Sequence, residues 1–261
     1  MSLAVRRLSI GRILSRGAAT VAAAPGTTIG IAFLFGALPS ALFSYGLTAA
    51  GGAVRQLPPG AATGLSLLGA LVGITLSMLV QGALVRATTA HAQGRRVSFG
   101  ECAATGLRAV LPLAVLSIVV GFGFAVGLLL FVVPGIILYV TWSVAAPALV
   151  SERRSILGAL ARSRALTRGA RWNIFALFFV MFVIYWLLSA VVGVVGVLGF
   201  GTRTLINAAS LGPAALPAIA LGTAVQTVVA AFWGTIQTAL YVELRDLQDG
   251  PPTDVLAGIF A

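Results

Sequence analysis

The 261 residues are 59% hydrophobic and only 9% charged, with a mean hydropathy of +1.05, whereas soluble domains carry roughly 25% charged residues. This excludes a soluble globular domain and defines an integral membrane protein of the all-α kind. All 17 basic residues are Arg against six acids, a formal charge of +11, while one Cys (Cys102) and one His (His91) exclude an intrachain disulfide and a His-rich metal site.

Arg to the exclusion of Lys, with abundant Ala and Gly, indicates a GC-rich genome and a bacterial source. Five stretches lack any Asp, Glu, Lys or Arg: 17–54, 56–85, 109–151, 172–202 and 204–242. Each exceeds the ~20 residues a helix needs to cross ~30 Å of hydrocarbon.

Residues 1–16 hold four Arg and no acid, with Leu3, Ile10, Ile13 and Leu14 near one helical face, the pattern of a short helix on an anionic leaflet. Arg6-Arg7 ahead of Ala22-Ala23-Ala24-Pro25 also resembles an export signal, and the Arg/Ser-rich start a transit peptide. Neither has an apolar core of its own, since residues 17–24 are mostly Ala; processing of residues 1–24 is left open. A first span is expected at 27–47, interrupted by Pro39. Arg55 and Pro58-Pro59-Gly60 mark an outer loop. A second span follows at 64–85, where Gly69 and Gly73 have the small-xxx-small spacing of generic helix packing.

Arg86 to Arg108 forms a basic loop in which Ser98 and Glu101 match a capping box, so a helix should begin there. The charge-free run 109–151 lies between two Arg-rich loops. Both belong in the cytoplasm by the positive-inside rule, so two crossings must separate them. Pro134-Gly135 is the turn signal between spans at 109–132 and 135–150. The second of these is short and carries Pro147, which predicts a tilted, broken or shielded helix. Ser151 is placed to cap the next helix, with Glu152 near its positive end. In 153–168, Ile156, Leu157 and Leu160 share one arc, Arg154 and Arg162 lie off it and Arg164 intrudes on it, an amphipathic pattern suited to the headgroup region. Trp172 stands where an interfacial aromatic belongs. Spans at 172–196 and 218–242 complete the set, separated by Arg203 and a loop with Pro213 and Pro217.

The expected architecture is one six-span domain over 1–245 with a polar cytoplasmic tail, 246–261, and both termini inside. Fifteen Arg then face the cytoplasm and two, Arg55 and Arg203, face out. Each Arg-Arg pair is followed by Ser and Gly: Arg6-Arg7-Leu8-Ser9-Ile10-Gly11, Arg95-Arg96-Val97-Ser98-Phe99-Gly100 and Arg153-Arg154-Ser155-Ile156-Leu157-Gly158. This predicts a threefold repeat, each unit a basic interfacial helix before spans 1, 3 and 5 plus a hairpin. Shared loop composition is the alternative source of the pattern.

Pro134-Gly135-Ile136-Ile137-Leu138, Ala146-Pro147-Ala148-Leu149-Val150 with Glu152, and Ala159-Leu160, Ser163, Leu166-Thr167-Arg168-Gly169 and Trp172 together resemble the membrane domain attached to some bacterial glycerophosphoryl diester phosphodiesterases. They are similar also to stand-alone inner-membrane relatives of the YciC type. Tyr241 followed by Leu244-Arg245 resembles the way such domains end. The resemblance implies a multi-pass helical domain, sometimes fused to an enzyme that degrades phospholipid headgroups; the enzyme part has no counterpart in these residues.

Catalysis by this chain is not expected. Metal-assisted hydrolysis needs converging carboxylates, yet four of the six acids (Glu243, Asp246, Asp249, Asp254) fall in the C-terminal segment and no span holds one. His91 and Glu101 read as a surface pair and Cys102 as a small buried residue. No catalytic residue, metal or cofactor is assigned. A transporter would normally retain ionisable groups in its spans; only Gln81, Thr141, Ser143, Ser189, Gln226, Thr227 and Gln237 are available, chiefly for interhelical hydrogen bonds. Breaks at Pro39, Pro134 and Pro147 keep small-solute or lipid transport as the alternative. Arg153, Arg154, Arg162, Arg164, Arg168 and Arg171 are the candidate contacts for anionic phospholipid headgroups, in envelope lipid handling or as a membrane scaffold at the inner membrane. Nucleic acid is excluded as a partner because the Arg sit at membrane ends without a reading motif; protein partners cannot be named.

Overall fold

The computed structural model describes residues 9–49, 58–95, 97–206 and 216–250, and every regular element among them is helical. Helix α1 covers Ile10–Ala23. Helices α2 (Pro25–Ile31) and α3 (Leu38–Ala49) are joined by a wide π-helical segment, Ala32–Ala37. Then come α4 (Pro59–Ala92), α5 (Phe99–Leu130), α6 (Val132–Trp142), α7 (Ala145–Glu152), α8 (Ile156–Leu166), α9 (Arg171–Ile206) and α10 (Leu216–Gln248). Six stretches are long and apolar enough to cross a membrane: Pro25–Leu42, Thr63–Ala92, Phe99–Leu130, Val132–Glu152, Arg171–Gly199 and Ile219–Gln248. Large apolar side chains cover the outside of these helices, among them Leu111, Phe122, Leu129, Phe182, Trp186 and Leu198. A continuous apolar exterior of this extent suits hydrocarbon and not water.

Local chemistry sets where the helices start and bend. Pro39 has no N–H to close an α-turn, and the chain widens just before it, with the Leu38 N–H reaching the Phe33 carbonyl five residues back. Ser40 Oγ donates to the Gly36 carbonyl at 2.8 Å. Pro39 therefore widens the first span without interrupting it. The Ser98 capping box is present: Ser98 Oγ accepts the Glu101 N–H at 3.2 Å, and Glu101 Oε2 accepts the Ser98 N–H at 3.4 Å. The third and fourth spans reverse through a single extended residue, Phe131, with Pro134 in the first turn of α6. Glycine makes so tight a hairpin possible: a Cβ on Gly127 would lie 2.7 Å from the Gly135 Cα.

Several expectations change. Among the described residues no separate basic helix precedes the third span, because α4 runs to Ala92 and α5 starts at Phe99 and continues unbroken. The helices after the three Arg pairs are thus unequal, of 14, 32 and 11 residues. What the three segments share is local: Ser9, Ser98 and Ser155 are each the residue at which a helix begins. Arg6, Arg7, Leu8, Arg55, Arg96, Pro213 and Asp254 lie outside the described residues.

Ser151 is inside α7 and caps nothing. Arg153 ends α7 in the left-handed region (φ 49), and Ser155 caps α8, accepting the Gly158 N–H at 3.2 Å. The buried side of α8 is Ala159, Leu160, Ser163 and Leu166, while Leu157 is exposed. The last helix passes residue 245, so Asp246 belongs to it and not to a tail.

Close packing of α4 on α5 centres on Gly82 and Gly106, away from Gly73. A Cβ on Gly106 would meet the Leu79 carbonyl oxygen at 2.4 Å, whereas Gly73 has nothing within 4 Å. Gly106→Ala is therefore expected to cost about 1–3 kcal/mol in thermal unfolding of the detergent-solubilised chain. Gly73→Ala, in open space on a helix, should be neutral or stabilising by up to about 1 kcal/mol.

Candidate functional site

The fourth span is broken inside the bundle, and half of its 18-residue apolar core is buried, the largest such share among the six. The break lies at Ser143-Val144, between α6 and α7. Pro147 is in the first turn of α7, and its missing N–H leaves the Ser143 carbonyl without the usual donor four residues on. Neighbouring side chains supply the bonds that the backbone omits. Ser163 Oγ donates to the Thr141 carbonyl at 2.8 Å, and Thr167 Oγ1 reaches the same oxygen at 3.4 Å. Gln237 Nε2 donates to the Ser143 carbonyl at 2.9 Å, and its Oε1 accepts from Gln81 Nε2 at 3.1 Å. Of the three amides expected to bond between helices, Gln81 and Gln237 do so, joining α4, α10 and the break, while Gln226 is exposed.

Past the break, α7 delivers Glu152 to a junction of three helices. Its Oε1 accepts from the Tyr241 hydroxyl at 2.8 Å and from Arg162 Nε at 3.0 Å, and its Oε2 from Arg154 Nε at 2.5 Å. Tyr241 is fully buried. Arg162 also grips Asp249 with both terminal nitrogens. Asp249, then Glu152, hold the Arg162 charge well above the ordinary arginine range. Gln248 Nε2 donates to the Ala165 and Leu166 carbonyls at 2.9 and 3.0 Å, satisfying the open end of α8.

A second junction fixes α1. Glu243, with a side chain 4% exposed, accepts Arg12 Nη1 at 3.1 Å and Arg16 Nη1 at 2.7 Å. The close pass of α1 over α10 occurs at Gly17, where a Cβ would meet Ile236 at 2.7 Å.

The six candidate headgroup arginines therefore divide. Arg154 and Arg162 are engaged by Glu152 and Asp249 and serve the scaffold. Arg164, Arg168 and Arg171 line an open cavity of about 710 Å³ with Gly169 and Trp172, and no acidic side chain pairs with them among the described residues. Gly169 (φ 88) allows the chain to turn between α8 and α9, which brings these three Arg together. An apolar groove of about 390 Å³ adjoins this cavity, lined by Val133, Ile136, Ile137, Val140 and Phe175. Arg171 and Trp172 belong to both.

Arg153 points elsewhere, into a cavity of about 510 Å³ that Arg86, Arg108 and Arg245 also line. These last three were not among the sequence candidates. Arg86 and Arg108 are the first charges beyond the charge-free runs 56–85 and 109–151, a position that puts both at the same end of neighbouring helices. Cys102 is buried in a small cluster with Val80, Ala83 and Leu84. Among the described residues no group of three or more His, Cys, Asp or Glu is arranged to hold a metal.

The chain matches no protein-family model, no curated protein and no solved structure.

Glu152→Gln should cost about 2–3 kcal/mol in thermal unfolding, because it leaves Arg162 and Tyr241 facing a neutral amide. Tyr241→Phe should cost about 1 kcal/mol. The double variant is expected to lose less than the sum of the two, the signature of a shared hydrogen bond.

Proposed function

We propose that this chain is a non-enzymatic, multi-pass protein of a bacterial inner membrane whose arginine-bearing end, on the cytoplasmic side, holds anionic phospholipid. The observation that carries this reading is the continuity of the Arg164/Arg168/Arg171 cavity with the Val133–Val140 groove through Arg171 and Trp172. A phospholipid has the same division, an anionic phosphate joined to hydrocarbon.

Guanidinium groups bind phosphate through paired N–H donors. Each Arg near an anionic leaflet contributes roughly 1 kcal/mol of attraction. Trp172 is 83% exposed, as suits an aromatic at the membrane surface. Arg164, Arg168 and Arg171 have their charge available for such a ligand, in contrast to Arg162. Kinship with the membrane domains that residues 134–172 resemble belongs to the same proposal, as does a role in envelope lipid handling or as a scaffold.

Transport is the second reading, favoured by a cavity of about 220 Å³ beside the broken span, lined by Gln81, Ser117, Tyr139, Trp142, Ser143 and Gln237. Its two amides are bonded to each other and to the backbone, which ranks it below lipid binding.

Native mass spectrometry of the chain in mild detergent tests the lipid reading. Wild type is expected to retain an anionic phospholipid selectively, and Arg164→Gln/Arg168→Gln/Arg171→Gln to lose it while remaining folded. Release of the same unselective lipid mixture by both proteins would contradict the proposal.

A further inference from the structure

The Arg86/Arg108/Arg153/Arg245 cavity is separate from the lipid groove and differs from it in chemistry. Four guanidinium side chains arrive from four elements, α4, α5, the end of α7 and α10, with Glu101 as the acid in the lining. Arg245 also lies 3.6 Å from Asp246 and over the Tyr241 ring. Arg86, Arg108 and Arg153 have no acidic partner within 4 Å among the described residues. Thr89 and Thr105 donate their hydroxyls to the Val85 and Glu101 carbonyls, so the guanidinium groups, with the Gln93 amide and the Ser151 hydroxyl, are the donors left for a ligand.

We propose that this chamber is a second anion site, built for a phosphate bearing two or more negative charges: a phosphomonoester or a diphosphate. The charge of the lining sets the class. A phosphodiester brings one negative charge, and four Arg against Glu101 would remain largely uncompensated around it. A dianion or trianion balances them and can be gripped from several sides. The volume of about 510 Å³ falls within the roughly 300–1,000 Å³ of small-molecule sites.

The backbone at Arg153 is the second, independent observation. It is the one non-glycine residue with positive φ among the described residues (φ 49), at a helix end where glycine is the usual choice. A strained conformation kept with a charged side chain aimed into a cavity indicates that the side chain is needed there. Because the ligand would bridge four elements, binding should lock the arginine-bearing ends together and stabilise the fold.

The test is thermal unfolding of the full chain at fixed ionic strength, with inorganic pyrophosphate in detergent as one arm. The other arm compares nanodiscs containing phosphatidic acid, a lipid phosphomonoester, with nanodiscs containing phosphatidylglycerol, a diester. Pyrophosphate at a hundredfold excess over its Kd is expected to raise the midpoint by about 5 °C or more. Arg86→Gln and Arg108→Gln should each weaken the affinity for pyrophosphate about tenfold or more, which at the same concentration cuts the shift to about half or less, whereas Arg164→Gln/Arg168→Gln should leave it intact. Arg153→Gly should not lower the ligand-free midpoint, since it relieves the backbone, yet should weaken the response as the Gln variants do. Stabilisation by phosphatidic acid over phosphatidylglycerol, without any by pyrophosphate and with the same variant pattern, would identify a lipid phosphomonoester as the source of the phosphate. No shift with either probe, an equal shift from sodium chloride, or a response that survives in both Gln variants would overturn the proposal.

Discussion

A helix broken among apolar neighbours must have its freed backbone oxygens satisfied by side chains, and this constraint organises the molecule. Between Trp142 and Ala145 the fourth span cannot complete its own ladder, and Pro147 removes one donor permanently. Ser163, Thr167 and Gln237 fill the positions, which draws α8 and α10 onto the break. Unsatisfied, each such carbonyl would cost several kcal/mol in hydrocarbon. The break thereby dictates that α8 folds back against α6 and does not follow the membrane surface independently.

The ionic junctions follow from that placement. With α8 held against the break, Arg162 falls between Glu152 and Asp249, and the buried Tyr241 hydroxyl completes the carboxylate's partners. A partly buried carboxylate is stable here because three donors converge on it; lacking them, its desolvation would outweigh any attraction. Glu243 repeats the logic on the other side of α10, where Arg12 and Arg16 attach α1. Two carboxylates thus sort the arginines into those that hold the scaffold and those that remain available to anions. That sorting separates Arg162 from Arg168, although both lie in one basic stretch of sequence.

The spans were legible because hydrocarbon imposes length and polarity limits that charge-free runs reveal directly. The Ser98–Glu101 cap and the place of Pro134 in the first turn of α6 were legible because each depends on residues a few positions apart, although the reversal itself falls three residues earlier, at Phe131. That the fourth span would be broken or shielded was legible from Pro147; the position of the break at Ser143-Val144 was not, since Pro147 is displaced from it by three residues and sits in the first turn of α7. Ser151 looked like a cap, but only the left-handed turn at Arg153 moves that role to Ser155. Glu243 and Asp249 read as parts of a polar C-terminal segment because five of the seven residues in Glu-Leu-Arg-Asp-Leu-Gln-Asp are polar; the burial of Glu243 depends on α1 and the pairing of Asp249 on α8, which approach from distant sequence. The gathering of Arg86, Arg108, Arg153 and Arg245 is likewise a product of helix packing, visible in the sequence only as charges at the ends of spans.

The central claim is that the available arginines face a lipid surface while the paired ones hold the fold. An electron cryomicroscopy structure of the chain in nanodiscs of mixed zwitterionic and anionic phospholipid addresses it most directly. The account predicts phosphate density within hydrogen-bonding reach of Arg168 and Arg171, with hydrocarbon density running along Val133, Ile136 and Val140. A groove empty of lipid, with Arg164, Arg168 and Arg171 projecting into bulk water beyond the bilayer surface, would contradict it.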